Sequence, residues 1–521
     1  MAFTSFKFLV FALIVVGAYY AMPKKYRWGE LLVASYAFYL LSSPNTFVFL
    51  LLTTVTTYLG GRVLGHINNK HKAHLARYKD TMSREDKKQL KAKIQKRKRK
   101  VVLVLLLVNF GVLAFVKYFR YYINVLFEGQ FDLGVLIPLG ISFYTFQSAA
   151  YILDLYRNKI DADQNIFKFA LFMSFFPQIV QGPIARHDQL ANQLYEGHDF
   201  KYTNLTHGAQ LILWGFFKKL IIADRVAILV TEVFDNYAEY SGAIVVTALL
   251  FYMIQIYADF SGGIDIARGV AQCMGIDMAH IFMRPYFSHD LSEFWRRWHK
   301  ALRFWTRDYI FYSISLSKTF GKLGKSARKV LGDRVGKLVP VIIAQMATFL
   351  TIGLWHGAEF KYIAYGLYNG LIIISALLLE PYFKKAIEKL HINVKSRGWE
   401  LFQIVRTFLI VMMGRMFPKA ASFGVALSMY ASILRPMEGK FGEVILTLGL
   451  TQIDFLVILV CCIVWFFISY TQEKGTKIRE ALDNQPLPVR WLVYLAGFVA
   501  VVVFGIYGPG YDASAFIYRG F

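Results

Sequence analysis

Apolar runs that approach the length needed to cross a bilayer recur along nearly the whole of this 521-residue chain, and that pattern leaves few folds open. A helix needs roughly 20 residues to span about 30 Å of hydrocarbon. Three runs come in quick succession, at Ser5–Met22, Trp28–Leu41 and Phe47–Gly60. Further runs follow at Val101–Tyr118, Leu133–Ile152, Phe167–Val180, Leu211–Val230, Ile244–Phe260, Leu338–Trp355, Tyr362–Leu379, Leu401–Met416, Phe455–Tyr470 and Trp491–Tyr507. In lipid only helices and closed barrels satisfy every backbone polar group. Runs of this length without strict alternation are helices. The expected fold class is all-α: a single polytopic membrane domain over residues 1–521, with about 11–13 transmembrane or re-entrant helices.

Charge supports the same reading. Only 18% of residues are charged and 56% are hydrophobic, against about 25% and about 45–50% in soluble domains. A net charge of +25 would point a soluble protein towards nucleic acid. Here the bases concentrate in short loops between apolar runs, where they orient spans and lie against anionic lipid. Membrane lipids are therefore the expected contact, and nucleic acid is not. Arg62–Lys100 holds about fifteen Lys and Arg against three acids, and the positive-inside rule places it and the Lys24–Arg27 turn in the cytoplasm. The organisation expected is N-terminal spans (1–61), a basic cytoplasmic segment (62–100), a core carrying the chemistry (101–380) and C-terminal spans (381–521). Lys7 alone makes a thin n-region, and Tyr19 and Tyr20 are too bulky for a cleavage site, so the first run reads as a retained span. The three cysteines show no metal-ligand or redox spacing.

Most of the eleven histidines fall in polar connections. His356 is different: it ends an apolar run, in MATFLTIGLWHGAEF, with no charged residue for at least fifteen positions before it. An ionisable group at such depth is costly without a task; the alternative is a neutral histidine bonded across helices. Gly353 and Gly357 allow close approach of a ligand or a neighbouring helix. Trp355 either walls a pocket or marks the membrane interface. His299 lies in HDLSEFWRRWHKALRFWTRDYIF, where Trp295, Trp298, Leu302 and Trp305 make an aromatic stripe at spacings of three and four, beside Arg296, Arg297, Lys300 and Arg303. That pattern predicts an amphipathic helix at the interface or re-entering it. Asp259 and Asp265, in ADFSGGIDIARG, orient a histidine or serve as ion-pair and capping residues. No GxSxG elbow, P-loop, HExxH or strand-borne GxGxxG occurs, so serine-hydrolase, nucleotide-driven and zinc-protease chemistry has no anchor.

Five segments in order resemble the membrane-bound O-acyltransferase superfamily. They are Ile137–Arg157, Phe175–Arg186, Asp259–Gly269 with Arg284–Tyr309 (including FWRRWH and WTRDYI), Thr348–Gly370 with its LWHG, and the C-terminal FIYRGF. The branch they look most like holds the bacterial alginate O-acetyltransferase membrane subunits and the D-alanyl-teichoic-acid transfer proteins. This chain departs from the alginate pattern in reading FYSISLSK after its RDY and GRMFPKAASF further on; those departures blur the substrate class and leave the histidines untouched.

The resemblance implies a multi-pass bundle in a bacterial plasma membrane, thinned around a tunnel. It implies His356 as the catalytic residue and His299 as the second histidine, with Trp295, Arg296, Trp355 and Asp259 as substrate-binding candidates. It implies no tightly bound cofactor and no metal, but an acyl thioester (acetyl-CoA or an acyl carrier protein) as donor, entering from the cytoplasm. An extracytoplasmic, SGNH-like acyltransferase partner and a polysaccharide acceptor are expected on the same ground. The chemistry would be transfer of an acyl group to a hydroxyl, with His356 as general base, because a protonated hydroxyl is a poor nucleophile and neutral imidazole suits pH 7. D-alanyl transfer to teichoic acid is the alternative within the family. A transporter or flippase using His356 as a proton relay, and a non-catalytic scaffold, are the alternatives outside it.

Overall fold

The computed structural model describes residues 1–78, 81–127, 137–508 and 511, the side chains of 120 and 124 excepted. The C-terminal FIYRGF and the first residues of the 133–152 run lie outside the described residues. Every regular element among the described residues is helical, as the apolar runs predict. Eight of these helices are long and apolar enough to cross a membrane, and two shorter ones, Phe6–Ala21 and Phe423–Ile433, are also apolar.

Several of the runs are not continuous spans, for local reasons. The run at Phe167–Val180 breaks at Phe175, which is extended (φ −45°, ψ 114°) just before the one-turn helix that holds Pro177. The run at Leu211–Val230 becomes two helices, Tyr202–Phe216 and Asp224–Asp235, joined by seven residues of wider π-type winding at Phe217–Ala223. Ile141–Tyr156 is buried on nearly every side, with only Leu153 and Tyr156 partly exposed, so it packs as a core helix.

Two compact units are present: Met1–Gly208 with Ala267–Ala279, and Ala209–Ile266 with the chain from His280 onward. The first is built on the early helices, where Thr57 and Ser148 share a buried hydrogen bond of 2.5 Å and Asn68 donates to the Leu155 carbonyl at 3.0 Å. Asp154, at its core, lies 3.4 Å from the Arg186 guanidinium.

The second unit carries both candidate histidines. Its axis is a pair of helices, Lys318–His356 and Phe360–Lys389. They cross where two glycines let the backbones touch. A Cβ on Gly353 would sit 2.4 Å from the Tyr362 carbonyl oxygen, and one on Gly366 would sit 2.5 Å from that of Phe349. The Lys318–His356 helix also reverses once, at Gly332 (φ 78°, ψ 164°), a conformation open to glycine and strained for other residues. The basic stretch before the turn folds back, so that Gly324 meets the Pro340 ring and Gly336 meets the Arg328 backbone. The part after the turn then runs on to His356.

Candidate functional site

His356 is the last residue of its helix and is 6% exposed. Its ring packs edge-on against Trp355 at 4.9 Å and Tyr365 at 5.7 Å, and lies nearly parallel to Tyr362 at 6.2 Å. Tyr362 also contacts the position a Cβ on Gly357 would take, 2.3 Å from its ring, so the residue after the histidine has to be small. Trp355 is 3% exposed and so is enclosed in protein.

His299 meets the same indole, its ring 5.6 Å from Trp355 and 5.2 Å from Phe260. The aromatic stripe predicts one continuous interfacial helix here, and the structure differs. Two short helices, Leu291–Arg297 and Lys300–Thr306, flank a break at Trp298 and His299. The reason is local pairing: Met283 donates to the Arg297 carbonyl at 3.0 Å and Lys300 to that of Ile281 at 2.9 Å, which holds Trp298 extended. His299 then takes a left-handed conformation (φ 44°), and its Nδ1 caps the next helix by accepting from Leu302 N at 3.4 Å. The stripe faces protein, not lipid: Trp295, Trp298, Leu302 and Trp305 are all buried.

That cap fixes the tautomer of the neutral ring, with the proton on Nε2. Nε2 is buried and has no hydrogen-bond partner among the described residues. Burial, followed by the nearby Arg415 charge and opposed by the backbone hydrogen bond, holds the imidazole far below its ordinary value, at about 3. His299 therefore stays neutral throughout pH 5–8 and presents an N–H donor. The expected consequence is that His299→Leu, which removes that donor, leaves the acid limb of a pH–activity profile where it was. A limb that disappears in this variant would show that His299 titrates after all.

A cavity of about 750 Å³ runs along the histidine helix. Val341, Gln345, Thr348, Phe349 and Ile352 line it, at spacings that put them on one helical stripe, and His356 continues that stripe one turn beyond Ile352. Over those residues the helix rises about 16 Å. Trp295, Arg303 and Arg307 line the opposite wall. The Trp295 indole N–H is already committed to Asn369 Oδ1 at 3.2 Å, so the ring serves as a wall.

The other candidates separate. Arg296 is exposed and does not line the cavity. Arg297 pairs with Glu293 and Glu473, both at 2.7 Å. Asp259 is 2% exposed and lies 2.6 Å from Lys219 Nζ, which also reaches Asp224 at 2.8 Å; it is an ion-pair residue. Asp265 pairs in the same way with Lys218 at 2.7 Å. Sequence reasoning passed over Arg307, which lines the cavity, and Arg415, whose guanidinium lies 4.4 Å over Trp298 and 5.5 Å over Tyr365. The available signal for Arg415 was an arginine inside the apolar run Leu401–Met416.

The sequence profile of the membrane-bound O-acyltransferase family matches residues 157–332. The probable alginate O-acetylase AlgI of Pseudomonas aeruginosa is 30% identical over 93% of this chain and 85% of its own length. The protein of the same name from Pseudomonas syringae pv. tomato is 30% identical over 85% of this chain and 77% of its own. The peptidoglycan O-acetyltransferase of Helicobacter pylori is 28% identical over 69% of this chain and 68% of its own. With full-length relatives, a profile match and spanning helices in agreement, this chain belongs to the membrane-bound O-acyltransferase family and is an integral membrane O-acyltransferase.

Proposed function

We propose that the protein moves an acetyl group from a cytoplasmic thioester to hydroxyls of an exported cell-envelope polysaccharide, with His356 as general base and His299 as donor to the thioester carbonyl. The observation that carries this reading is the stripe that runs from the cavity to His356, with His299 packed on the same Trp355 indole as His356. A cavity of this size falls within the range of small-molecule sites, about 300–1,000 Å³. It suits a phosphorylated thioester arm, whether of acetyl-CoA or of a carrier protein. Three guanidinium groups line it, on Arg303, Arg307 and Arg406. Of its acids Asp290 and Glu380, the latter already pairs with Lys384 at 2.7 Å. The balance of charge favours a phosphate-bearing donor.

Polysaccharide is the favoured acceptor because the relatives matched over most of the chain bear the names alginate O-acetylase and peptidoglycan O-acetyltransferase. A match over 93% of the chain takes in most of the segment after residue 380, which the D-alanyl-transfer reading leaves without a purpose. An extracytoplasmic, SGNH-like partner would complete the transfer to the polymer. The test uses purified protein in nanodiscs with radiolabelled acetyl-CoA or acetylated carrier protein, and offers oligouronate, peptidoglycan fragments or lipoteichoic acid as acceptor, with and without membrane-free cell-envelope extract. Label arriving on the first or second acceptor is expected. Thioester left intact under every combination would overturn the proposal.

A further inference from the structure

A second cavity, of about 520 Å³, is lined by the helices Arg397–Lys419 and Gln452–Glu473, both long and apolar enough to span a membrane. Arg397, Leu401 and Ile404 come from the start of the first helix, and Trp465, Phe466 and Glu473 from the close of the second, with Lys474 just beyond it. At 1.5 Å per residue the lining runs about 10 Å along the first helix, from Arg397 to Ile404, and about 12 Å along the second, from Glu473 to Trp465. Charge stands at the mouth and apolar side chains follow. The inner end is aromatic, with the Tyr257 ring 4.8 Å from Trp465 and 5.1 Å from Tyr286. Lys384, Lys385, Lys389 and Lys395 precede Arg397, and Lys477 follows Lys474, so the positive-inside rule sets the mouth at the cytoplasmic face. This cavity is not the one along the histidine helix. His289 lines it and Asp290 lines the other, while the His289 carbonyl accepts from Arg406 at 2.8 Å and Thr407 at 2.9 Å, so a hydrogen-bonded peptide stands between the two.

The acids at the mouth are engaged. Glu473 is held by Arg284 at 2.6 Å and Arg297 at 2.7 Å, and Glu400 lies 3.7 Å from the His289 ring. Arg397 and Lys474 are exposed and form no ion pair among the described residues. Lys474 sits 5.4 Å over the Tyr470 ring, a contact that leaves its charge in place. Leu401, Phe466 and Tyr470 are exposed as well, on helices that meet lipid. A water-soluble anion would satisfy the two cations and leave the apolar lining unused. A lipid with an anionic head uses both, and the cytoplasmic leaflet supplies such lipids. We propose that this cavity binds an anionic phospholipid of that leaflet, its phosphate at Arg397 and Lys474 and an acyl chain along Leu401, Ile404 and Phe466. Acyl transfer and the two histidines play no part in it, so the site stands or falls apart from the reading above.

The experiment places the full chain in phosphatidylcholine nanodiscs doped with a phosphatidylglycerol whose acyl chain carries a diazirine, and maps the photolabel by peptide mass spectrometry. In wild type, label is expected on the segments 401–404 and 465–469. Unlabelled phosphatidylglycerol should displace it, whereas inorganic phosphate and glycerol 3-phosphate should not. The double variant R397Q/K474Q should lower the label about tenfold or more, as loss of two bases facing an anionic headgroup does. Ile404→Trp, which fills the apolar part and keeps both cations, should lower it as well without a fall in melting temperature. Equal labelling by a phosphatidylcholine analogue, or label in R397Q/K474Q as strong as in wild type, would overturn the proposal. Displacement by either soluble phosphate would make this a free-anion site and overturn it too, as would wild type with no label on either segment. Should Ile404→Trp fail to fold, the double variant decides, since both of its substitutions are on exposed side chains.

Discussion

His356→Ala lowers acyl transfer by about 10²–10⁴-fold, the usual contribution of a positioned general base, and leaves a folded protein in the membrane. The side chain ends its helix, so truncation removes no intrahelical turn. The close helix crossing at Gly353 and Gly366 lies below it and is untouched. On the proposed assignment, what is lost is the acceptor for the hydroxyl proton. The surrounding rings, Trp355, Tyr362 and Tyr365, hold the imidazole in place in the wild type. Thioester loss measured alongside a melting curve separates chemistry from folding, and His356→Gln, of similar volume, should be as slow as the alanine variant. Turnover within a few-fold of wild type in either variant would remove His356 from the mechanism. A protein that instead moved a solute and coupled it to a proton gradient would lose that coupling in the same variants while never needing a thioester.

The spanning helices and the His356 position were legible because both rest on local composition: a long apolar run, and one ionisable residue at its end. The small residues around the histidine could be read in the same way, whereas Trp355 stood open between a pocket wall and an interface marker until its burial was seen. The break at His299 could not. It depends on Ile281 and Met283, which lie well apart from Arg297 and Lys300 in sequence and pair with their backbones, so a stripe that satisfies helical spacing is interrupted by a contact that spacing does not encode. Burial of that stripe was hidden for a related reason, since an aromatic face looks the same in sequence whether it meets lipid or protein. Asp259 was legible as a carboxylate at the end of an apolar run with ion pairing among its roles, whereas its partner was not: Lys219 sits in a π-type stretch on another helix. The cavity is a property of several helices together, and of its lining Trp295 and Arg303 stood out beforehand.

Lys219→Met destabilises the protein by about 3–5 kcal/mol, the usual cost of breaking a buried ion pair from one side. Lys219 is 1% exposed and its ammonium lies 2.6 Å from Asp259 and 2.8 Å from Asp224, while the Tyr511 hydroxyl donates to the second Asp224 oxygen at 2.9 Å. Methionine matches the lysine stem in volume, so the loss arises from two carboxylates left buried without their cation. The backbones cross closely beside it: a Cβ on Gly215 would meet the Gly262 carbonyl at 2.6 Å, and one on Gly262 would meet that of Gly215 at 2.9 Å. Neutralising the partners as well, in Lys219→Met with Asp259→Asn and Asp224→Asn, should restore much of the stability, because the penalty belongs to unpaired charge and not to the shape of the site. Thermal unfolding in lipid nanodiscs measures both. A single variant that melts with the wild type would mean that the triad is solvated or already protonated, and would remove it as the brace of this unit. The same measurement bears on catalysis. Phe260, next to Asp259, packs on the His299 ring at 5.2 Å, so loosening the triad should slow thioester transfer beyond the fraction of protein that unfolds.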